Sequence, residues 1–364
     1  MNPGQAPNVS LRELAGILAQ TATLHPATET PMPHDWPDSA WERFVQLALH
    51  HRVAPLLAYR AQRGLQPSWP ADIMRRFQKA LHASRLRHAA GCRALALIDA
   101  AFTRAGVEYV PLKGPSLADV AYPDTGLRPF DDLDLLVAPH HVTAAHAALT
   151  SLGYHRLPGA LPDWLMRQYH FHSQWLHAST RQCVEIHWRL SDKHGHKDTS
   201  SGATMVREIR DNPAAMAIYL AIHIAKHGFT NHLWFVHKID PLLALHPWSD
   251  IRLLWLLDFQ GYCAMNNLDS DTLTDTARRW DSLQDLHFVQ YLVEPDTENA
   301  GANPAGLPRY SPKASLLRRM DRDFNHSAIP APQPWWLRAN RRTGFRPVRL
   351  LDIFERKTPC RPTL

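Results

Sequence analysis

Residues 110–137 read VPLKGPSLADVAYPDTGLRPFDDLDLLV, and the six that close the run, Asp132 through Val137, decide the fold. Acid, leucine, acid, leucine, leucine, valine is the pattern of a β-strand whose side chains alternate between two faces. It predicts Asp132 and Asp134 on one face, with Leu133 and Leu135 on the other against a core. Two carboxylates held that close on rigid backbone repel, and they require a cation or a basic partner. Mg²⁺ suits them, because that ion takes one or two carboxylates and completes its octahedron with water and phosphate oxygens. By itself the Asp-x-Asp fits equally well an acidic strand end at the surface.

The flanking sequence supplies context. Residues 107–112 read as a short buried strand that ends in Lys113-Gly114-Pro115-Ser116. A helix is predicted to follow, since Pro115 fits a first turn that needs no amide donor and Leu117, Ala118 and Ala121 can face inward. Backbone amides at that start, with Gly114 permitting close approach, make a seat for phosphate oxygens, and Lys113 adds a point charge. The plainer alternative is a tight turn with a solvated lysine. Downstream, CVEIHWRL (183–190) alternates Val184, Ile186 and Trp188 with Glu185, His187 and Arg189. If this strand lies beside that of Asp132, Glu185 completes a three-carboxylate cluster able to hold two metal ions; otherwise it is an ordinary surface residue.

The run 112–137 followed by VEIHWRL (184–190) resembles the uncharacterised nucleotidyltransferase-like family within the DNA polymerase β-type nucleotidyltransferase superfamily. The resemblance implies an α+β fold: a small mixed β-sheet nucleotidyltransferase core flanked by N-terminal and C-terminal helical layers. It implies that Gly114 and Ser116 belong to a nucleotide-binding turn, that Asp132 and Asp134 form a metal pair, and that Glu185 is the third acid. Lys113 and Arg128 match positions typical of the subfamily. Two features depart from the superfamily pattern: the turn is Gly-Pro-Ser, and 18 positions separate Gly114 from Asp132.

The implied reaction is in-line attack of an acceptor hydroxyl on the α-phosphate of a nucleoside triphosphate (NTP), with loss of pyrophosphate. Asp132, Asp134 and Glu185 would be both catalytic and metal-binding (Mg²⁺ or Mn²⁺). Lys113 and Arg128 are candidates for the triphosphate tail, or for ion pairs with Asp124, Asp131 or Asp132. The acceptor is a small molecule, a protein or an RNA end. The alternatives are a non-catalytic nucleotide-binding or antitoxin-like protein on the same fold, and a phosphotransferase.

Composition agrees with a soluble enzyme. No uninterrupted apolar run approaches the ~18 residues of a membrane helix, the opening MNPGQAPNVSLRELAGILAQ lacks secretory-signal character, and a cytoplasmic location is expected. Cys92, Cys183, Cys263 and Cys360 are scattered and suggest neither a zinc ribbon nor a disulfide framework. Cys183 reads as a small half-buried residue. Among 23 histidines, His223 and His227 sit four apart on one helix face, a spacing that can ligate zinc, but no glutamate follows His223. They read as structural or substrate-contact residues and, with His187, as possible cleft contacts. By resemblance, His223, His227 and Asp240 cap the cleft. His194 and His196 fall in an expected loop.

The expected organisation is an N-terminal helical region (1–104), a catalytic core (105–192), a C-terminal helical region (205–300) and a basic tail (301–364). Residues 39–63 and 71–104 carry helical periodicity. A helix is expected near 140–152, strands near 169–178 and 182–190, a boundary at SDKHGHKDTSSG, and helices over 213–226 and 248–265. The net charge of +6 resides in the tail, where residues 307–364 hold 13 Lys or Arg against 4 Asp or Glu. Interleaved with Trp335, Trp336, Phe345 and Phe354, these charges suit an intramolecular strap on an acidic surface, single-stranded nucleic acid, or an anionic membrane.

Overall fold

The computed structural model describes residues 9, 11–22, 36–65, 69–157, 171–190, 201–230 and 251–293. Asp240, His194, His196, most of the expected boundary segment and the basic tail lie outside the described residues. The chain opens with helices α1 (Leu11–Thr21), α2 (Asp38–His50), α3 (Ala54–Gln62) and α4 (Ala71–Arg104). Strand β1 (Tyr109–Pro111), helix α5 (Pro115–Ala121), strand β2 (Asp132–Val137) and helix α6 (Val142–Ser151) follow, then strands β3 (Tyr154–Arg156), β4 (His172–His177) and β5 (Cys183–His187). Helices α7 (Ser201–Asp211), α8 (Pro213–Thr230), α9 (Leu253–Met265), α10 (Ser270–Arg279) and α11 (Leu283–Val293) come after them among the described residues. The fold is α+β with a mixed sheet, as the family resemblance implies, and the sheet has five strands among the described residues.

Strand order is β1-β2-β5-β4-β3. Among the described residues β2 and β5 run parallel, and the other three pairings are antiparallel. A parallel pair needs a crossover, here made by α6, β3 and β4. The period of two in β2 and β5 separates two cores. Leu133, Leu135, Val137, Val184, Ile186 and Trp188 pack with the end of α4 and with α6. Leu136 instead joins a larger apolar cluster shared by α1–α4 and α7–α11. Asp132, Asp134, Glu185 and His187 have the parity of Leu136, so the acids lie where the sheet meets the helical mass.

Two expectations change. The periodic segment 39–63 is two helices, because Arg52 takes φ 62° and breaks the chain between α2 and α3. The strand expected over 107–112 is only Tyr109–Pro111. Leu112 still donates its N–H to Asp134 O at 2.9 Å, which carries the β1 backbone to the start of the Lys113 turn.

Helix α4 spans 34 residues, about 50 Å at 1.5 Å per residue. Gly106 (φ 64°) terminates it, and the Val107 N–H bonds to Phe102 O at 2.9 Å. At Gly91 the helix comes against the segments of Pro115 and Phe130 so closely that a Cβ there would lie 2.6 Å from Phe130 Cζ and 3.1 Å from Pro115 Cγ. The loop after α5 is held by Asp124, which accepts the Gly126 N–H at 2.9 Å and pairs with Arg85 of α4.

Helix α9 is pinned to the same loop by a buried ion pair. Arg128 Nε and Nη2 reach Asp258 Oδ1 and Oδ2 at 2.9 and 2.8 Å, and the Tyr122 hydroxyl donates to Oδ1 at 2.6 Å. Removing one member leaves a buried charge uncompensated, so Arg128→Met should cost roughly 3–5 kcal/mol in chemical denaturation. The triple change Tyr122→Phe, Arg128→Met, Asp258→Leu should recover most of that loss; no recovery would refute the ion-pair account.

Asp124 yields a pH-dependent prediction. The Arg85 hydrogen bond, opposed by burial, holds its carboxyl below the ordinary value. Its contribution is therefore complete above the unfolded-state value near 4 and is lost as pH falls through the folded-state value. Arg85 is nearly half exposed, so the pair is discounted. Asp124→Ala should cost about 1 kcal/mol at pH 7, and the gap to wild type should narrow below about pH 4.

Candidate metal and nucleotide site

The parallel register sets Asp134 of β2 directly beside Glu185 of β5, with Leu136 beside His187. Antiparallel β4 places Gln174 opposite Glu185 and His172 opposite His187 on the far side of β5. Side chains from three strands thereby converge on one patch. His187 Nε2 lies 3.0 Å from Asp134 Oδ1 and 3.2 Å from Glu185 Oε2. The Gln174 amide donates to Glu185 Oε1 at 2.8 Å, and His172 Nε2 is 3.7 Å from Oε2.

Gly114 makes the fourth approach possible. Its φ of 80° and ψ of −136° lie where side-chain-bearing residues rarely go. The turn it forms runs back along β2 and sets Lys113 Nζ 2.9 Å from Asp134 Oδ2. Ser116 is half-buried in the first turn of α5.

Electrostatics mark this patch as short of positive charge. Burial would raise the Asp134 carboxyl, but Lys113 and the His187 hydrogen bond outweigh it and hold the group below its ordinary value. Burial likewise opposes Glu185, which His172 and His187 hold well below the usual range. Burial would lower Lys113, and Asp134 and Asp132 instead keep it firmly protonated. For His187, burial is outweighed by the hydrogen bonds to Asp134 and Glu185, which raise the imidazole above its ordinary value. For Asp132 the balance reverses: burial, then the charge of Asp134, push it up to about 7. The third carboxylate is left without enough countercharge.

A divalent ion fits this imbalance. Donor atoms of Asp134, Glu185 and His187 lie within 4.8 Å of one another. Asp134 Oδ2 is buried and accepts no aligned hydrogen bond, although Lys113 lies beside it. Asp132, partly exposed, borders this set and couples to it through charge.

Most of the sequence-predicted residues converge here. Lys113, Gly114, Asp132, Asp134, Glu185 and His187 share one patch. Arg128 is different: it engages Asp258 rather than Asp124, Asp131 or Asp132, and its Nη1 reaches Gly114 O at 3.4 Å. It braces the turn from behind. Asp131 pairs with Arg52 from the α2–α3 turn. Cys183, expected half-buried, is fully buried.

His223 packs edge-on and His227 packs tilted against Trp255 of α9, at ring-centroid distances of 4.8 and 4.7 Å. Burial and the neighbouring positive charges, Lys113 first, hold the His223 imidazole well below its ordinary value. One turn before it, buried Tyr219 lies within the field of Lys113 and all three acids, and burial raises its hydroxyl pKa. Tyr219, His172, Gln174 and Asp258 escaped the sequence reading. Three left a trace: His172 and Gln174 share the parity of β4, and Asp258 is the lone charge in LLWLLDFQGYCAM.

Comparison with curated proteins and with solved structures gives no match. Residues 37–295 match the family described as uncharacterised nucleotidyltransferase. That span contains the turn, both carboxylate strands and the helices over them. The chain therefore belongs to the uncharacterised nucleotidyltransferase family, and it is a nucleotidyltransferase.

Proposed function

We propose that this enzyme transfers a nucleoside monophosphate from an NTP to a hydroxyl acceptor and releases pyrophosphate, in a reaction that depends on Mg²⁺ or Mn²⁺. The observation that carries this reading is the pairing of Asp134 with Glu185 across parallel strands, with Lys113 2.9 Å from Asp134. Asp132, Asp134 and Glu185 are the residues that would hold the ion. When bound, it supplies Lewis acidity toward the phosphate and the acceptor hydroxyl.

The chain's own groups position and neutralise. Lys113 is a fixed cation beside the carboxylates, available to the triphosphate tail. Gly114 and Ser116 border the space the phosphates would take, and Gly114 keeps backbone rather than side chain facing it. Glu185 is oriented by Gln174, His172 and His187. The carboxylates are also the groups able to take the acceptor's proton. Arg128 is a positioning residue, acting through the Gly114 turn. His223 and His227 are candidates to line the cleft on the helical side.

No helix among the described residues is long and apolar enough to cross a membrane, which is compatible with a cytoplasmic enzyme. A small molecule, a protein or an RNA end would be the acceptor. The basic tail would bind an acidic surface, nucleic acid or an anionic membrane.

Calorimetric titration with ATP, CTP, GTP and UTP tests the nucleotide site. One triphosphate should bind, and chelating the divalent ion should abolish binding. Asp132→Ala should weaken metal-dependent binding by at least about tenfold without loss of fold, since it removes an acid crowded by two others. A folded protein that binds no triphosphate would overturn the proposal.

Lys113→Ala should lower turnover by about 10²-fold while leaving the metal requirement intact. Product analysis then fixes the reaction type: pyrophosphate is expected, whereas nucleoside diphosphate would mean phosphoryl transfer.

A further inference from the structure

A second group of metal-ligating side chains lies outside the carboxylate site. His88 and Cys92 are four residues apart on α4, so they project from one face of the helix. Asp119 of α5 sits against them. His88 Nε2 is 3.3 Å from Cys92 Sγ and 3.2 Å from Asp119 Oδ1, and the three donor atoms all lie within 4.8 Å of one another. Cys92 is a free, half-buried thiol.

The two separations from His88 are close to the edges of a metal tetrahedron. Zn–N and Zn–O bonds near 2.0–2.1 Å and a Zn–S bond near 2.3 Å, at tetrahedral angles, put neighbouring donors roughly 3.3–3.6 Å apart. Without an ion the arrangement is less well satisfied, because a single Nε2–H cannot donate fully to both a thiol and a carboxylate.

We propose that His88, Cys92 and Asp119 form a binding site for a divalent ion of the Zn²⁺ class, which clamps α5 to α4. The donor set selects the metal. A sulfur, an imidazole nitrogen and one carboxylate oxygen suit Zn²⁺ and its softer neighbours and exclude Mg²⁺, which the oxygen-rich catalytic patch suits. Binding displaces the Cys92 proton to solvent and leaves a fourth position open, on the side where Asp119 is half exposed. His88 Nδ1 is buried with no hydrogen-bond partner, so no further group orients the ring. That places the affinity below that of a closed four-ligand structural site.

The location gives the ion a consequence. Helix α5 begins at the Gly114 turn, and one residue before Cys92 the same α4 surface meets Pro115 at Gly91. A metal bridge from α4 to Asp119 would fix the short helix behind Lys113.

Co²⁺ titration of the chelator-stripped full chain tests the site, because only a thiolate ligand gives sulfur-to-cobalt charge-transfer absorption. The band should saturate near one equivalent and be bleached by Zn²⁺. It should vanish in Cys92→Ala and persist in Asp134→Asn. Asp119→Ala removes a half-exposed side chain that the core does not use, and it should weaken Co²⁺ binding at least about tenfold. The absence of a band in wild type, its survival in Cys92→Ala, or unchanged affinity in Asp119→Ala would each overturn the proposal.

Discussion

Three carboxylates on one face of adjacent strands, beneath a helical layer, are held together only by the countercharge around them. Their mutual repulsion grows as water is excluded, so the protein must supply partners from several elements. Lys113 arrives on a glycine turn, His187 from the strand of Glu185, and His172 and Gln174 from the next strand. Even so, Asp132 remains under-compensated. The patch therefore carries an excess of negative charge, and its apolar reverse face, Leu133, Leu135, Val184 and Ile186, packs the strands that carry it against a core.

The turn that delivers Lys113 is equally constrained. It is stitched to β2 by the Leu112–Asp134 backbone bond, braced by Arg128 and pressed by α4 at Gly91. Arg128 in turn depends on Asp258, and the α2–α3 turn reaches both sides of this junction. Arg52 pairs with Asp131, while His51 Nδ1 and carbonyl O accept the N–H groups of Leu253 and Leu254 at the start of α9. Helices from both ends of the chain therefore fix the geometry of the central loop. Buried polar contacts of this kind contribute specificity more than net stability. The two groups of candidate metal ligands differ in donor chemistry: one is oxygen-rich on the sheet, the other mixes nitrogen, sulfur and oxygen where two helices touch.

Much of this was legible in the sequence because local periodicity reports burial. The alternation in Asp132–Val137 and Cys183–His187 identified both strands and the faces of their acids, and the 34-residue pattern of α4 coincides with the helix. Gly114 was readable as a turn residue, and the family resemblance supplied the chemistry. The same reasoning ran segments 39–63 together, because apolar spacing does not register a single left-handed residue at Arg52.

By itself the sequence determined which residues are acids, which face each takes on its strand, and where the glycine turn falls, since these are properties of a few consecutive residues. Tertiary structure alone decided that β5 lies parallel to β2 in the register that sets Glu185 beside Asp134. It also decided that Arg128 spends its guanidinium on Asp258, 130 positions away, and that buried Tyr219 feels the charge of Lys113 and the acids. Pairing across such distances follows from strand order and helix packing, which no local periodicity encodes. A buried guanidinium takes whichever carboxylate the fold brings within reach.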